Sequence, residues 1–192
     1  MSYEVVFDIE TKNTFQDVGA YDASLLSVSF VGAYRSDTGE YLSYFEEDLP
    51  KLWPLLEHAD RLIGYNSLSF DIPCLNRYYA GDLKKIPHLD LLKKIEVSLG
   101  FRCKLDDVAK STLGVGKTGH GLDAVKYWNN GELDKLKKYC LDDVRITKDL
   151  YEYGKKNGHV KLVDRVGVSR ELVVDFSMPE HTDKKVSLTL GI

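Results

Sequence analysis

The stretch that most constrains the fold is Val5-Val6-Phe7-Asp8-Ile9-Glu10-Thr11, an apolar run whose far end carries two carboxylates. A strand turns successive side chains to opposite faces, so Asp8 and Glu10 share one face while Phe7 and Ile9 share the other. At about 3.3 Å of rise per residue the two acids stand roughly 6–7 Å apart. Two acids on one face repel each other unless a cation lies between them, and burying either one unpaired is costly. Hard divalent ions such as Mg²⁺ or Mn²⁺ take oxygen ligands and relieve that repulsion. Taken alone, the pair is weak evidence and reads more readily as a solvated strand end with a capping acid, because Asp-x-Glu recurs by chance.

Around this strand the pattern predicts a mixed sheet flanked by helices. A polar loop is expected over Lys12–Ser24, then β-rich runs at Leu25–Tyr34 and Tyr41–Phe45 separated by the turn residues Ser36-Asp37-Thr38-Gly39. With the first strand these form an antiparallel meander. Leu49, Leu52, Trp53 and Leu56 recur at helical spacing within Glu47–Ala59, and Leu62-Ile63-Gly64-Tyr65 reads as a short buried strand. A helix follows, with Ser69 as N-cap, Asp71 in the electropositive first turn and an end near Ala80-Gly81. A short strand at Ile86–Leu89 leads into a helix ended by Gly100, and another helix spans Leu105–Leu113. The segment Gly114–Gly121 is expected to be a mobile loop before a short helix over Leu122–Trp128. The last helix, Glu132–Lys155, turns Leu133, Leu136, Cys140, Val144 and Thr147 inward. Beyond it, Val160–Val166 and Glu171–Phe176 suggest a hairpin, and Val186–Leu190 one further strand.

Length and composition narrow the class. A chain of 192 residues with 43% hydrophobic and 29% charged content suits one ordinary globular domain with a small appendage. The net charge of −4 does not advertise nucleic-acid binding, but acids neutralised by bound cations still enter that sum. Cys74, Cys103 and Cys140 lack metal-type spacing and point to ordinary buried thiols in a reducing compartment. No basic-then-apolar leader and no apolar run of membrane-spanning length is present, so a cytoplasmic location is expected.

Two further acidic positions join the first pair. Asp71 opens a helix after the strand that would neighbour the first one, and Asp143 lies one turn beyond Tyr139 on the last helix. Singly, Asp71 reads as a helix-dipole acid, Asp143 as a surface acid and Tyr139 as a buried ring. Their order is what is distinctive. Phe7-Asp8-Ile9-Glu10-Thr11, then Gly64-Tyr65-Asn66 through Phe70-Asp71, then Tyr139-Cys140-Leu141-Asp142-Asp143-Val144 resemble the three motifs of the DEDD superfamily of 3′–5′ exonucleases in its tyrosine (DEDDy) branch. Tyr65 departs from the histidine that many relatives place before the asparagine.

The resemblance implies a ribonuclease H-like α/β sandwich over residues 1–157, followed by a hairpin extension and tail over 158–192. It also implies two divalent cations, Mg²⁺ or Mn²⁺, about 3.5–4 Å apart. Asp8 would bridge them, Glu10 and Asp143 would complete the site of one, and Asp71 would hold the other through waters. Tyr139 would orient the attacking water; with an ordinary pKa near 10 it is not suited to be the base at neutral pH. The implied partner is the 3′ end of single-stranded DNA or RNA. Its phosphates and terminal base call for cations and an apolar wedge, for which Thr11, Lys12, Phe15, Asn66, Phe70, Lys117 and His120 are the candidates. Two alternatives stand beside this expectation: a non-catalytic nucleic-acid-binding module of the same fold, and a nuclease acting on short oligonucleotides. Oligomeric state and sugar preference have no signature in the residues.

Overall fold

In the computed structural model, which describes residues 2–116, 121–164 and 167–178 (without the side chains of 121 and 122), the acid-bearing strand β1 (Glu4–Thr11) lies in the middle of a five-stranded sheet. A short helix α1 (Phe15–Val18) leads on to β2 (Val28–Arg35) and β3 (Glu40–Phe45), and the helix α2 (Leu49–Glu57) crosses back to β4 (Arg61–Gly64). Then come α3 (Asp71–Leu75), β5 (His88–Asp90), α4 (Leu91–Leu99), α5 (Leu105–Leu113), α6 (Gly121–Asn129) and α7 (Leu133–Asn157). A separate hairpin, β6 (His159–Val163) and β7 (Ser169–Val173), follows. The strand order is β3-β2-β1-β4-β5: β1 pairs antiparallel with β2 and parallel with β4. This is the mixed sheet that the meander and the short strand at Leu62 imply.

Both faces of the sheet are covered, which is why β1 reads as an almost continuous apolar run. Val5, Phe7 and Ile9 pack with Leu49, Leu52 and Leu56 of α2 and Ile72 and Leu75 of α3. Val6 faces the opposite layer, with Leu91 and Ile95 of α4, Val108 of α5 and Val144 and Leu150 of α7. By alternation Asp8 and Glu10 belong to the same side as Val6, the side that α7 covers.

Several boundaries differ from the sequence expectation for local reasons. The segment 12–24 is not all loop: Thr14 and Asp17 form a capping box that starts α1, and left-handed Gly19 closes it. Helix α3 begins at Asp71 with Phe70 in the cap position and no side-chain cap, so Ser69 does not serve as N-cap. It also ends at Leu75, well before Ala80. Leu133 is exposed, because it is the first residue of α7, whereas Leu136, Cys140, Val144 and Thr147 are buried as expected. The hairpin strands start one and two residues earlier, and end three residues earlier, than the alternation suggests. Asp164 organises the turn, its carboxylate accepting from Val168 N at 3.0 Å. The region of Val186–Leu190 lies outside the described residues.

The hairpin is packed into the second core through Val160, Leu162 and Leu172, with Val174 and Phe176 following. Its exit is fastened by Arg61, 2% exposed at the start of β4. The Arg61 guanidinium donates to Glu4 Oε1 at 2.6 Å, to Tyr151 Oη at 2.8 Å, and to the carbonyls of Phe176 and Ser177 at 3.2 and 2.7 Å. One side chain thus joins β1, β4, α7 and the segment after β7. Arg61→Ala leaves the Glu4 carboxylate without its buried partner and is expected to cost about 3–5 kcal/mol in urea unfolding. A loss below about 1 kcal/mol would show that the network contributes nothing net.

Candidate active site

Three elements deliver the acids to one place. Asp8 and Glu10 sit at the C-terminal end of β1, where the pairing with β2 shifts register between Glu10 and Thr11. Such an irregularity bends the strand and re-aims its side chains. Asp71 comes from the first turn of α3, and its Oδ1 accepts from the β1 backbone at Ile9 N, 3.2 Å away. Asp143 and Tyr139 come from α7, both almost fully buried. Asp8, Glu10, Asp71, Tyr139 and Asp143 all line a single cavity of about 290 Å³.

The approach of α7 depends on a missing side chain. Gly32 of β2 pairs with Asp8, and a Cβ at that position would lie 3.1 Å from Cys140 Sγ, from Leu141 Cδ2 and from Val144 Cγ2. The helix therefore rests on bare strand backbone beside the acid-bearing strand. On the other side, the turn between β4 and α3 is held by a residue outside the three motifs. Asp90, 3% exposed, accepts from Asn66 N at 2.9 Å and Leu68 N at 3.1 Å while capping α4 through Lys93 N. Asn66 is the one non-glycine with positive φ (65°) among the described residues, and Arg102 donates to its side-chain oxygen. Gly64 completes the fit: a Cβ there would lie 2.5 Å from the side chain of Ser67.

A family model described as the RNase H superfamily matches residues 5–154 of the 192. The chain belongs to the RNase H superfamily. Solved structures agree on the fold. The family B DNA polymerase from the hyperthermophilic archaeon Pyrobaculum calidifontis superposes with a TM-score of 0.62 at 21% identity, over 80% of this chain and 24% of the polymerase. Exonuclease I, in a structure described as suggesting how processivity is achieved, gives 0.55 at 15% identity, over 81% of this chain and 41% of its own. The chain thus spans well under half the length of either. No curated protein sequence matches it. Among the described residues of this RNase H superfamily member, no helix is long and apolar enough to cross a membrane.

The electrostatics are those of a crowded acid site. Burial, and then the charge of Asp8, hold the Asp71 carboxyl well above the usual carboxylate range. Burial, followed by Asp143, Glu10 and Asp8, raises the Tyr139 hydroxyl far above its ordinary value, so it stays protonated at neutral pH. Cys140 is raised too, by burial and then by Asp8 and Glu10, and its thiol points at Asp8, 3.4 Å from the carbonyl and 3.7 Å from Oδ2. Ligand atoms of Asp8, Glu10 and Cys140 lie within 4.8 Å of one another. Four carboxylates facing one small cavity fit hard divalent cations. The sulfur beside them is a donor that the sequence expectation had counted as an ordinary core thiol.

The remaining candidates divide. Thr11, Phe15, Asn66 and Phe70 line the cavity, with the Phe15 and Phe70 rings edge to face at 5.9 Å. Lys12 does not line it: it lies just past the end of β1, and its ammonium is paired with Glu46 and sits 4.6 Å over the Trp128 ring. Lys117 and His120, in the expected loop, lie outside the described residues. Asn13, Thr14, Leu26, Tyr65 and Val125 also line the cavity. The sequence expectation named none of these: Tyr65 stands in the second motif without being a site candidate, and the capping-box spacing of Thr14 marks a helix start, not a cavity wall.

The Asp71 shift has a stability sign. A carboxyl raised in the fold ionises first in the unfolded chain, so metal-free protein is expected to lose stability as pH rises above about 4. Asp71→Asn should remove that slope and raise metal-free stability at neutral pH. Mn²⁺ or Mg²⁺ should raise the melting temperature of the wild type and do so far less in Asp8→Ala. Equal cation-induced shifts in both proteins, read by thermal unfolding with and without chelator, would mean that the cavity does not hold the metal.

Proposed function

We propose that this chain is a metal-dependent 3′–5′ exonuclease of the DEDDy type that hydrolyses phosphodiester bonds of single-stranded DNA or RNA. The observation that carries the proposal is the convergence of Asp8, Glu10, Asp71, Asp143 and Tyr139 on one cavity. The likeness of the fold to exonuclease I, and the order of the three motifs, support the same reading. When bound, two divalent cations held by the four carboxylates would neutralise them, lower the pKa of the attacking water and stabilise charge on the departing 3′ oxygen.

The chain's own residues supply positioning. Tyr139, kept protonated, offers a hydroxyl to orient the attacking water and does not act as the base. Phe15 and Phe70 present ring surface at the cavity wall for the terminal base. Asn66 is fixed by Asp90 and Arg102 in a strained backbone conformation at the rim, a place where a side-chain amide can meet sugar or phosphate. A cavity of about 290 Å³ is at the small end for ligand sites and suits the end of one strand better than a duplex.

With Mn²⁺ present, a 5′-labelled single strand of about 20 nucleotides is expected to give a ladder that shortens from its 3′ end, while circles survive. Asp8→Ala should lower the rate by roughly 10³-fold, and Tyr139→Phe by about 10- to 100-fold. No cleavage by the wild type would favour the non-catalytic binding module, and cleavage restricted to the shortest oligomers would favour the oligonucleotide nuclease.

A further inference from the structure

A second cavity, a groove of about 710 Å³, opens between the α4–α5 connection and the β6–β7 hairpin. Its walls include Phe101, Arg102, Cys103, Lys104, Val163 and Arg170. Phe101 is 58% exposed, which is unusual for a phenylalanine and leaves a ring face open to solvent. Three cations stand against two acids, Asp107 and Asp164, and Asp164 is already paired with Arg170 at 3.1 Å. That local balance runs opposite to the net charge of −4 on the whole chain.

The walls of the groove and of the catalytic cavity are hydrogen-bonded to each other. Tyr65 and Asn66 line the cavity; Tyr65 donates from its hydroxyl to Cys103 O at 3.0 Å, and Arg102 donates to the Asn66 side chain. The far wall is held in place as well. Thr112 and Ser111 of α5 bind the β6 backbone, with Lys161 N donating to Thr112 Oγ1 at 2.9 Å and Val163 N to Ser111 Oγ at 2.9 Å. An aromatic face beside several cations, in a fixed groove whose wall is bonded to that of a site for strand ends, is the combination that binds single-stranded nucleic acid without base specificity.

We propose that this groove holds the single strand immediately 5′ of the nucleotide in the cavity, with a base against Phe101 and phosphates against Arg102, Lys104 and Arg170. The polarity of that strand rests on the 3′–5′ exonuclease reading; the binding itself does not. The hairpin thereby acquires a function as one bank of the track.

The test uses the full chain carrying Asp8→Ala, so that substrate survives, and measures anisotropy of 5′-labelled oligo-dT and oligo-U of about 3 and about 12 nucleotides. The longer strand is expected to bind more tightly than the shorter. Phe101→Ala should weaken the longer strand about 10-fold, and Phe101→Trp should retain it. Lys104→Gln with Arg170→Gln should flatten the dependence of log affinity on log salt by about 1.4, near 0.7 per phosphate contact. All three side chains are exposed, so the variants should melt with the parent. Equal affinity of long and short strands, or variants that match the parent in affinity and salt slope, would overturn the proposal; a groove built for a protein partner gives that same result. Loss of binding in the variants of a protein that never cleaves would leave the groove standing while the hydrolytic reading falls.

Discussion

Four carboxylates, three of them buried, aimed into one small cavity repel each other, and the rest of the scaffold has to hold them there against that repulsion. The raised Asp71 carboxyl, pushed up by burial and by Asp8, is the local sign of the load. Such an arrangement is stable only where the surrounding fold over-determines it. Here the acids come from three elements anchored independently: a central strand, a short helix whose Asp71 is tied back to that strand at Ile9 N, and a long helix packed across the sheet. A cation in the cavity would turn the strain into binding energy, because the ligands are gathered before it arrives.

Two small features do much of the gathering. Gly32 lets α7 rest on the backbone of β2 opposite Asp8, so that Tyr139 and Asp143 reach the cavity. Asp90 ties the β4–α3 turn by two backbone donors and caps α4 with the same carboxylate, which couples the second motif to the helix on the other side of the sheet. Neither residue needs to touch a substrate. Each sets the position of groups that would, and a displacement of about 1 Å in such groups can cost two orders of magnitude in rate.

The C-terminal hairpin belongs to the same mechanical unit. Its apolar residues fill the second core, its edge strand is bound by α5 side chains, and Arg61 fastens its exit to β1, β4 and α7. A buried arginine that makes five hydrogen bonds to four residues, through carboxylate, hydroxyl and carbonyls, is a joint that loses all its connections together. The hairpin is thereby held rigidly beside the α4–α5 connection, and the groove between them keeps its shape.

Much of this could be read from the chain. Alternation placed Asp8 and Glu10 on one face, glycines at 100 and 114 marked helix ends that the structure keeps, and the order of the three motifs carried the superfamily. Those features are local, set by period, by φ preference and by motif spacing, and they survive whatever the rest of the molecule does. Other features were decided only in three dimensions. Asp71 is marked by the second motif, but nothing in the sequence says that Asp90, 19 positions further on, holds the turn before it. Lys12 follows Thr11 in sequence yet serves Glu46, and Cys140 passes for a core thiol until β1 brings Asp8 to its sulfur. The physical reason is that a side chain's partners come from segments distant in sequence, and the packing of those segments, not the residue's own neighbours, sets its solvation and charge environment.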